Sequence, residues 1–228
     1  MTGGTGYDRM IGGTGNDRYV VTDITDNAIE LAGEGTDRVL ASVNHQLRDY
    51  IEELELSGTA DLRGYGNGLD NLIIGNGGAN LLYGRGGVDT LRGAAGNDIL
   101  FGEDGNDLLT GGAGSDRMYG GSGADRFLFT SSDFGGTATG SADRIHDFSA
   151  TDGDLIDLSA VDANASVAGD QAFNFVGDAA FSGVAGELRT AVIAGNSYLQ
   201  GDTNGDGAAD FWIRVDGLHA FVAGDFIF

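Results

Sequence analysis

Apolar residues recur along the middle of the chain with a period of nine. Each unit has the pattern Gly-Gly-x-Gly-x-Asp-x-U-x, in which U is a large apolar residue. In six consecutive units from Gly75 to Leu128 the U residues are Leu82, Leu91, Leu100, Leu109, Met118 and Phe127. The last three residues of each unit are x-U-x. Because side chains alternate between the two faces of a strand, U points to one face and its two neighbours point to the other. The pattern predicts three-residue strands separated by six-residue turns.

These short strands can be buried only by stacking on copies of themselves, because one apolar residue in nine forms no core alone. Two units would make a flattened coil of about 18 residues, with a turn on each edge and the U residues meeting inside. Successive coils would lie about 4.8 Å apart, which is the spacing of parallel strands. The repeat therefore predicts an all-β chain that forms a parallel β-roll.

The sixth position of each unit carries a carboxylate or an amide. The six consecutive units have Asn80, Asp89, Asp98, Asp107, Asp116 and Asp125 there, and two more units at the start of the chain have Asp8 and Asp17. A looser unit that begins at Tyr65 places Asp70 in this position and requires one inserted residue, Ile74. Units n and n+2 share an edge of the roll, so Asp89 is expected to stack on Asp107.

Stacked carboxylates need a cation between them. Two unit charges 4 Å apart repel by about 1 kcal/mol in water, and by several times more when partly desolvated. A hard divalent cation between each pair would reverse the sign of this interaction. Ca²⁺ prefers about six to eight oxygen ligands in a flexible geometry, which carboxylates and the carbonyls of Gly-rich turns can supply, whereas Mg²⁺ demands a tighter octahedron. The sequence therefore predicts several calcium sites.

Composition narrows the function further. With 35 acidic residues against 12 Lys and Arg, the net charge of −23 disfavours nucleic acid and anionic membranes as partners. Cysteine is absent, which excludes disulfides and thiolate metal sites, and no apolar run approaches the roughly 18 residues of a membrane span. Neither His-Glu-x-x-His nor Gly-x-Ser-x-Gly occurs, so a metalloprotease zinc site and a lipase nucleophile are missing. We expect no catalytic residue.

The nonapeptides resemble those of the RTX (repeats-in-toxin) haemolysin-type calcium-binding repeat proteins, most specifically over residues 75–129. In that family, turn carbonyls and the sixth-position Asp of two stacked turns share each ion. The resemblance implies the ligand pairs Asp89 with Asp107, Asp98 with Asp116, Asp107 with Asp125, and Asn80 with Asp98. It also implies ligation by Asp8 and Asp17, and by the carbonyls of Gly78, Gly87, Gly96, Gly105, Gly112, Gly114, Gly121 and Gly123. The Asn80 site would be weaker, because Asn carries no charge.

We expect four segments along the chain: RTX repeats at residues 1–20, degenerate or spacer coils at 21–64, the nonapeptide β-roll at 65–129, and a C-terminal cap at 130–228. The spacer contains a degenerate unit, Ala32–Leu40. We interpret the spacer as wider coils of the same roll, with Leu54 and Leu56 inward, and Leu47–Glu52 also suits a short surface helix. Whether the spacer holds calcium stays open.

Residues 130–228 resemble the C-terminal domain of serralysin-type secreted proteases. The segments Ala191–Ala194, Ser197–Gln200 and Phe211–Val215 alternate as an antiparallel meander would. Such a sheet would cover the open end of the roll, where backbone groups are otherwise unpaired. The resemblance implies further calcium ligands near the last coil, at Asp143, Asp147 and Asp154.

The loop 202–210 has the D-x-N-x-D-G spacing of an EF-hand-like calcium loop. Its ligands would be Asp202, Asn204, Asp206 and Asp210. The twelfth position, which in such loops is a bidentate Glu, is Ile213 here. A solvated hairpin turn between two strands is the alternative interpretation.

We expect a non-catalytic, secreted and extracellular calcium-binding module that folds when several Ca²⁺ ions bind. Because the chain opens inside a repeat, we expect it to belong to a larger protein. The final residues, Asp225–Phe228, are similar to the tail of proteins exported by type I secretion systems, which would make that apparatus a partner. An ordinary edge strand is the alternative interpretation of this tail.

Two other functions remain open. The chain could be the C-terminal part of a secreted enzyme, such as a metalloprotease, a lipase or an alginate epimerase, whose catalytic domain is absent. It could also bind polysaccharide or a cell surface through exposed aromatic residues such as Tyr83 and Tyr119. The three histidines, His45, His146 and His219, are scattered in the sequence and are expected to be structural.

Overall fold

The computed structural model describes residues 1–134 and 140–228. Over these residues the chain is built from short strands, and one 3₁₀ turn at Ala223–Asp225 is the helical element. The strands are β1 Arg9–Ile11, β2 Arg18–Val21, β3 Asn27–Ile29, β4 Arg38–Ala41, β5 His45–Gln46, β6 Glu53–Leu56, β7 Arg63–Tyr65, β8 Leu72–Ile74, β9 Leu81–Gly86, β10 Thr90–Ala95, β11 Ile99–Asp104, β12 Leu108–Ala113, β13 Arg117–Ser122, β14 Arg126–Thr130, β15 Asp143–Ile145, β16 Leu155–Ala160, β17 Asn174–Phe175, β18 Glu187–Ile193, β19 Asn196–Asp202, β20 Phe211–Val215 and β21 Phe226–Ile227.

Successive strands of the roll alternate between two large sheets, except that β1 and β3 pair with each other in a separate two-stranded sheet. The first sheet has the order β2-β4-β6-β8-β10-β12-β14-β16-β21, and the second has the order β5-β7-β9-β11-β13-β15-β20-β19-β18-β17. Within the repeats the pairs are parallel, and Leu91 lies beside Leu109 just as Leu82 lies beside Leu100. Residues 18 apart are therefore neighbours in adjacent coils. The predicted all-β fold, a parallel β-roll, is confirmed.

The core lies between the two sheets and consists of two facing columns of side chains. The U residues Leu82, Leu91, Leu100, Leu109, Met118 and Phe127 are all completely buried. The first sheet extends its column in both directions through Tyr19, Val39, Leu54, Ile73 and Ile156, which occupy matching places in neighbouring strands. Burial of these residues provides the hydrophobic contribution to the stability of the roll.

The spacer continues the same roll. Leu54 and Leu56 are buried, as the sequence predicts, and Val39 of the Ala32–Leu40 unit pairs with Tyr19. The short surface helix considered for Leu47–Glu52 is wrong: this segment is an extended link and a turn. Leu47 and Ile51 are both buried within the core. The link must cross from β5 in one sheet to β6 in the other, which leaves too few residues for a helix.

The unit before Gly75 differs from the sequence prediction in its register. Thr90 pairs with Leu72 and Leu91 with Ile73, so Ile73 is the U residue and is completely buried. The unit is therefore Gly66–Ile74, in unbroken nine-residue register with Gly75, and the predicted insertion of Ile74 is wrong. Asn71, rather than Asp70, occupies the sixth position.

The C-terminal segment extends both sheets of the roll. Strands β18, β19 and β20 form the predicted antiparallel meander. β20 has the predicted bounds, whereas β18 and β19 are longer than the sequence indicated. Strand β20 then pairs in parallel with β15, and β21 pairs with β16. Asp216 ties this region together, because it accepts hydrogen bonds from the guanidinium groups of Arg144 and Arg214 and lies 3.0 Å from Nδ1 of His146. Among the described residues, no helix has the length and hydrophobicity needed to cross a bilayer.

Candidate calcium-binding columns

The sixth-position residues form two stacked columns, one on each edge of the roll. The first column consists of Asn71, Asp89, Asp107, Asp125 and Asp154, and the second of Asn80, Asp98, Asp116 and Asp143. In each column the backbone N–H of one residue donates to the side-chain oxygen Oδ1 of the next, at 2.7 to 2.9 Å. Parallel pairing fixes this stacking, because it places residues 18 apart in adjacent coils. The structure thus brings together the residue pairs named from the sequence.

The second carboxylate oxygen of these residues has no hydrogen-bond partner among the described residues. The atoms concerned are Oδ2 of Asp89, Asp98, Asp107, Asp116, Asp125 and Asp143, and all of them are buried. A buried carboxylate oxygen without a partner is costly and uncommon in folded proteins. Six such atoms at repeating positions indicate that these edges are built to receive positive charge.

Burial also changes the acidity of the columns. It raises the pKa of Asp89, Asp98 and Asp125 to about 7, from an ordinary value of 3.8. Burial raises the pKa of Asp116 to about 6 and that of Asp143 to about 8. Neighbouring column carboxylates add to these shifts, and the N–H donors oppose them. A nearby cation would favour the charged form of these groups.

The unpaired oxygens lie against glycines at the first position of each unit. A Cβ atom at Gly84 would overlap Oδ2 of Asp89, and Gly93, Gly102, Gly111 and Gly120 have the same relation to Asp98, Asp107, Asp116 and Asp125. The carbonyl oxygen of Gly102, one coil further on, also borders the place of the Gly84 side chain. Carboxylate and carbonyl oxygens thus converge on a space that only glycine leaves open. Such a set of hard oxygen donors suits Ca²⁺.

The glycine carbonyls named from the sequence lie in the same turns. Gly87, Gly96, Gly105, Gly114 and Gly123 have positive φ, and in each of the last three a Cβ would overlap the carbonyl oxygen of the corresponding glycine one coil earlier. Gly112 and Gly121 also have positive φ and approach the carbonyls of Ala94 and Glu103, while Gly78 lies against the carbonyl of Ala60. At the second position, Arg85, Ala94 and Glu103 keep positive φ without being glycine. The backbone path of the turn therefore survives these three replacements.

Sequence reasoning missed the first-position glycines. Their signal was present, because every unit from Gly75 to Leu128 begins with glycine, whereas the second position varies. First-position glycines have ordinary φ values in the repeats. What requires glycine there is the close approach of Oδ2 and of the next carbonyl.

The first two units have stacking partners that the sequence reasoning did not name as ligands. The N–H of Asp8 donates to Oδ1 of Asp26 at 3.2 Å, and that of Asp17 donates to Oδ1 of Asp37 at 2.8 Å. Asp26 and Asp37 are buried, at 6% and 1% exposure. Their signal was present, because Asp26 lies 18 residues after Asp8, which is the spacing of adjacent coils, and Asp37 is the sixth residue of the Ala32–Leu40 unit.

The remaining predicted ligands fall into different places. Asp154 ends the first column, and its Oδ2 accepts from the N–H of Ser149. Asp147 accepts from the N–H groups of Gly120 and Gly121, beside Asp125 and Asp154 of the first column. Asp70 lies outside both columns, on the exposed surface, where its Oδ1 accepts from Val88.

The 202–210 loop is a hairpin turn between β19 and β20 whose carboxylates are already engaged. Asp202 accepts from the N–H groups of Gly205 and Gly207, and Asp210 accepts from Thr203 and from the side-chain amide of Asn204. Asp206 accepts from Ala208. This loop contributes no buried oxygen without a partner among the described residues. The hairpin turn is present, and calcium binding by this loop stays a prediction.

Comparison with known families supports the interpretation of the columns as calcium sites. Residues 1–21, 65–100 and 92–127 match the family model described as the RTX calcium-binding nonapeptide repeat (4 copies). The matched segments contain the column residues from Asn71 to Asp125, together with Asp8 and Asp17. The chain contains RTX calcium-binding repeats. The resemblance of residues 130–228 to serralysin-type proteases lies outside the matched segments and stays a prediction, as do the boundaries of the four segments.

Two solved structures similar to this chain are subunits of one enzyme, the mannuronan C5-epimerase of Azotobacter vinelandii. The solution structure of its AlgE6R2 subunit is 26% identical, covers 75% of this chain and 94% of its own, and has a TM-score of 0.44. The AlgE6R3 subunit is 28% identical, covers 71% of this chain and 79% of its own, and has a TM-score of 0.34. Comparison with curated proteins gave no match.

Proposed function

We propose that this chain is a non-catalytic module of a larger secreted protein, which folds when calcium binds to its two columns and thereby serves export and extracellular stability. The observation that carries the proposal is the row of buried Oδ2 atoms without partners at Asp89, Asp98, Asp107, Asp116, Asp125 and Asp143. Calcium, when bound, would supply the positive charge that these oxygens lack. Its ligands would be the column carboxylates and the carbonyls of the glycine turns.

Folding would be coupled to binding because the calcium-free coils stack like charges on both edges. The chain must also order 42 glycines, and fixing the backbone costs about 1–2 kcal/mol per residue. Each site would add about 1.4 kcal/mol to the folded state at ten times its dissociation constant. Extracellular calcium modules have dissociation constants of roughly 0.1–1 mM, far above cytosolic calcium. The chain would therefore stay expanded inside the cell and fold outside.

Export through a type I apparatus would require an accessible tail. In the folded chain Phe226 is buried and belongs to β21, which pairs with β16. Asp225 is also buried and accepts from the N–H of Val222. A chain kept unfolded by low calcium would present this tail, whereas the folded chain would hide it. This geometry supports an order of events in which export precedes folding.

The proposal is tested by far-ultraviolet circular dichroism of the chain in chelator and during calcium addition, with magnesium as the control ion. We expect disorder in chelator and a cooperative gain of β-structure above roughly 0.1–1 mM calcium, with little response to magnesium. Export is tested separately, by measuring secretion of a reporter fused to the chain through a type I system. Removal of Asp225–Phe228 should abolish secretion, and undiminished secretion would contradict the export role.

The enzymatic alternative is tested by assaying the chain alone for protease, lipase and epimerase activity, for which we expect no turnover. The polysaccharide alternative gains no support from Tyr83 and Tyr119. Tyr65, Tyr83, Phe101, Tyr119 and His146 form one stack, with ring centroids 4.1 to 5.0 Å apart. Each inner ring covers the faces of its neighbours, so Tyr83 and Tyr119 do not offer a free face to a sugar.

A further inference from the structure

A third group of carboxylates lies apart from the two columns, where the second repeat unit meets the spacer: Asp17 is the sixth residue of that unit and Asp37 the sixth residue of the Ala32–Leu40 unit. One oxygen each from Asp17, Glu30 and Asp37 lie within 4.8 Å of one another. Glu30 and Asp37 are 4% and 1% exposed. Among the described residues, no ion pair involves any of the three.

Two oxygens of this group point to a missing ligand. Oε2 of Glu30 and Oδ2 of Asp37 are buried and have no hydrogen-bond partner among the described residues. Their companion oxygens are engaged, since Oδ1 of Asp37 accepts from the N–H of Asp17 and Oε1 of Glu30 accepts from the hydroxyl of Tyr19. Each carboxylate therefore has one oxygen fixed by the protein and one left over.

The group approaches the backbone closely at residue 12, and this approach requires glycine. A Cβ at Gly12 would overlap Oε1 of Glu30 and would lie 2.5 Å from both Oδ2 of Asp17 and the hydroxyl oxygen of Tyr19. In the repeats the corresponding space beside Gly84 is bordered by the carboxylate of Asp89 and the carbonyl of Gly102.

Glu30 is what distinguishes this group from the repeats. Strand pairing places Ile29 beside Ile11, so Glu30 lies opposite Gly12 in the adjacent coil. In the repeats, the residue opposite a first-position glycine in the adjacent coil is another first-position glycine. A carboxylate thus stands where the repeats offer only a backbone carbonyl. The group carries three negative charges, against two in a repeat pair, and calcium affinity rises with the charge of the ligands and the rigidity of the site.

We propose that Asp17, Glu30 and Asp37, with the Tyr19 hydroxyl beside them, form a separate calcium site that binds more tightly than the repeat sites and fills first. The identity of the ion rests on the proposed function. The occupied site would join β2, β3 and β4, and so would order the start of the roll at calcium concentrations that leave the repeats empty.

The test is calcium binding by equilibrium dialysis at buffered free calcium, on the full chain and on Glu30→Gln. The wild type should retain one ion at concentrations too low for the other sites, and Glu30→Gln should weaken that ion's binding by about tenfold or more. Asp178→Asn is the matched control, since it removes one charge from an exposed residue outside the repeats. Circular dichroism at saturating calcium checks that each variant folds.

Tyr19 provides a second readout that does not depend on Glu30→Gln folding. Terbium replaces calcium in oxygen sites and emits when an adjacent tyrosine is excited, so the first equivalent of terbium should emit strongly in the wild type. Tyr19→Phe keeps a buried ring and removes the sensitiser, and the early emission should disappear with it.

Identical dialysis curves for wild type and Glu30→Gln, or equal early emission in Tyr19→Phe, would overturn the proposal. Several equivalent calcium ions with no tighter one would overturn this site and leave the proposed function standing. No calcium binding at all would overturn both.

Discussion

The backbone N–H of Asp98 donates a 2.7 Å hydrogen bond to Oδ1 of Asp116, one coil further along the roll. The same carboxylate leaves its Oδ2 buried and without a partner among the described residues. One oxygen thus holds two coils together through the backbone, and the other is available to a cation. This division of roles between the two oxygens recurs in both columns.

Asp107→Asn should weaken calcium-dependent folding, because Asp107 would serve two sites, one with Asp89 and one with Asp125. At ten times the dissociation constant each site contributes about 1.4 kcal/mol, so the loss of both would cost about 3 kcal/mol. Calcium titrations followed by circular dichroism should show a higher midpoint. In chelator the same substitution should stabilise the fold instead, since it removes a buried charge without a partner.

The control for this change is Asp104→Asn, three residues away in the same coil. Asp104 is exposed, and its Oδ1 accepts from the hydroxyl of Ser122. Its substitution removes the same charge and leaves both columns intact, so the calcium midpoint should stay close to that of the wild type. Equal midpoints for Asp104→Asn and Asp107→Asn would contradict the assignment of the columns.

Gly102→Ala should impair calcium binding although it changes no ligand side chain. A Cβ there would overlap Oδ2 of Asp107 and the carbonyl oxygen of Gly120, and such overpacking typically costs about 1–3 kcal/mol. Gly86→Ala is the matched control, because the atom nearest to its Cβ would be 3.8 Å away. That control should be neutral or gain up to about 1 kcal/mol through the unfolded state. Urea unfolding in saturating calcium measures the stability of both variants. Equal stabilities would show that a side chain fits at Gly102 and would contradict the close approach of Oδ2.

Without calcium, acid should favour the fold. Burial raises the pKa of Asp89, Asp98 and Asp125 to about 7 in the folded chain, so the folded state binds protons more tightly than the unfolded one. This contribution is complete below the ordinary pKa of 3.8 and is lost as the pH rises through about 7.

Metal-free chain should therefore show more β-structure near pH 4.5 than near pH 8 by circular dichroism. With calcium present the dependence on pH should be opposite, because protons compete with the ion for the same carboxylates. If the metal-free chain lost β-structure on acidification, the column carboxylates would not be the groups that set the pH dependence of its folding.

The nine-residue period predicts much of the fold and of the columns, because burial and charge repeat together. The period alone is enough to place Leu82 and Leu100 in the core and Asp98 over Asp116. It also selects Asn71 over Asp70, because Asn71 lies nine residues before Asn80. The prediction of Asp70 matched the Gly and Asp residues of the unit instead, and so required the inserted Ile74. The pairing of Ile73 with Leu91 decides for Asn71.

The spacer is harder to predict, because its coils vary in length. Asp26 still lies at the regular spacing of 18 residues from Asp8, and Asp37 is the sixth residue of the Ala32–Leu40 unit, so the sequence carried a signal for both partners. Glu30 matches no motif, and it acquires its place only when Ile29 pairs with Ile11. Its position depends on tertiary pairing rather than on the repeat, and the sequence pattern therefore does not reveal it.

Hydrogen exchange at the amides of Asp89, Asp98 and Asp107 tests the central claim most directly, because each of these amides donates to the carboxylate of the next coil. We predict rapid exchange in chelator and strong protection once calcium is added, with no comparable effect of magnesium. Strong protection of the same three amides in chelator would mean that the coils hold together without the ion, and would contradict the account.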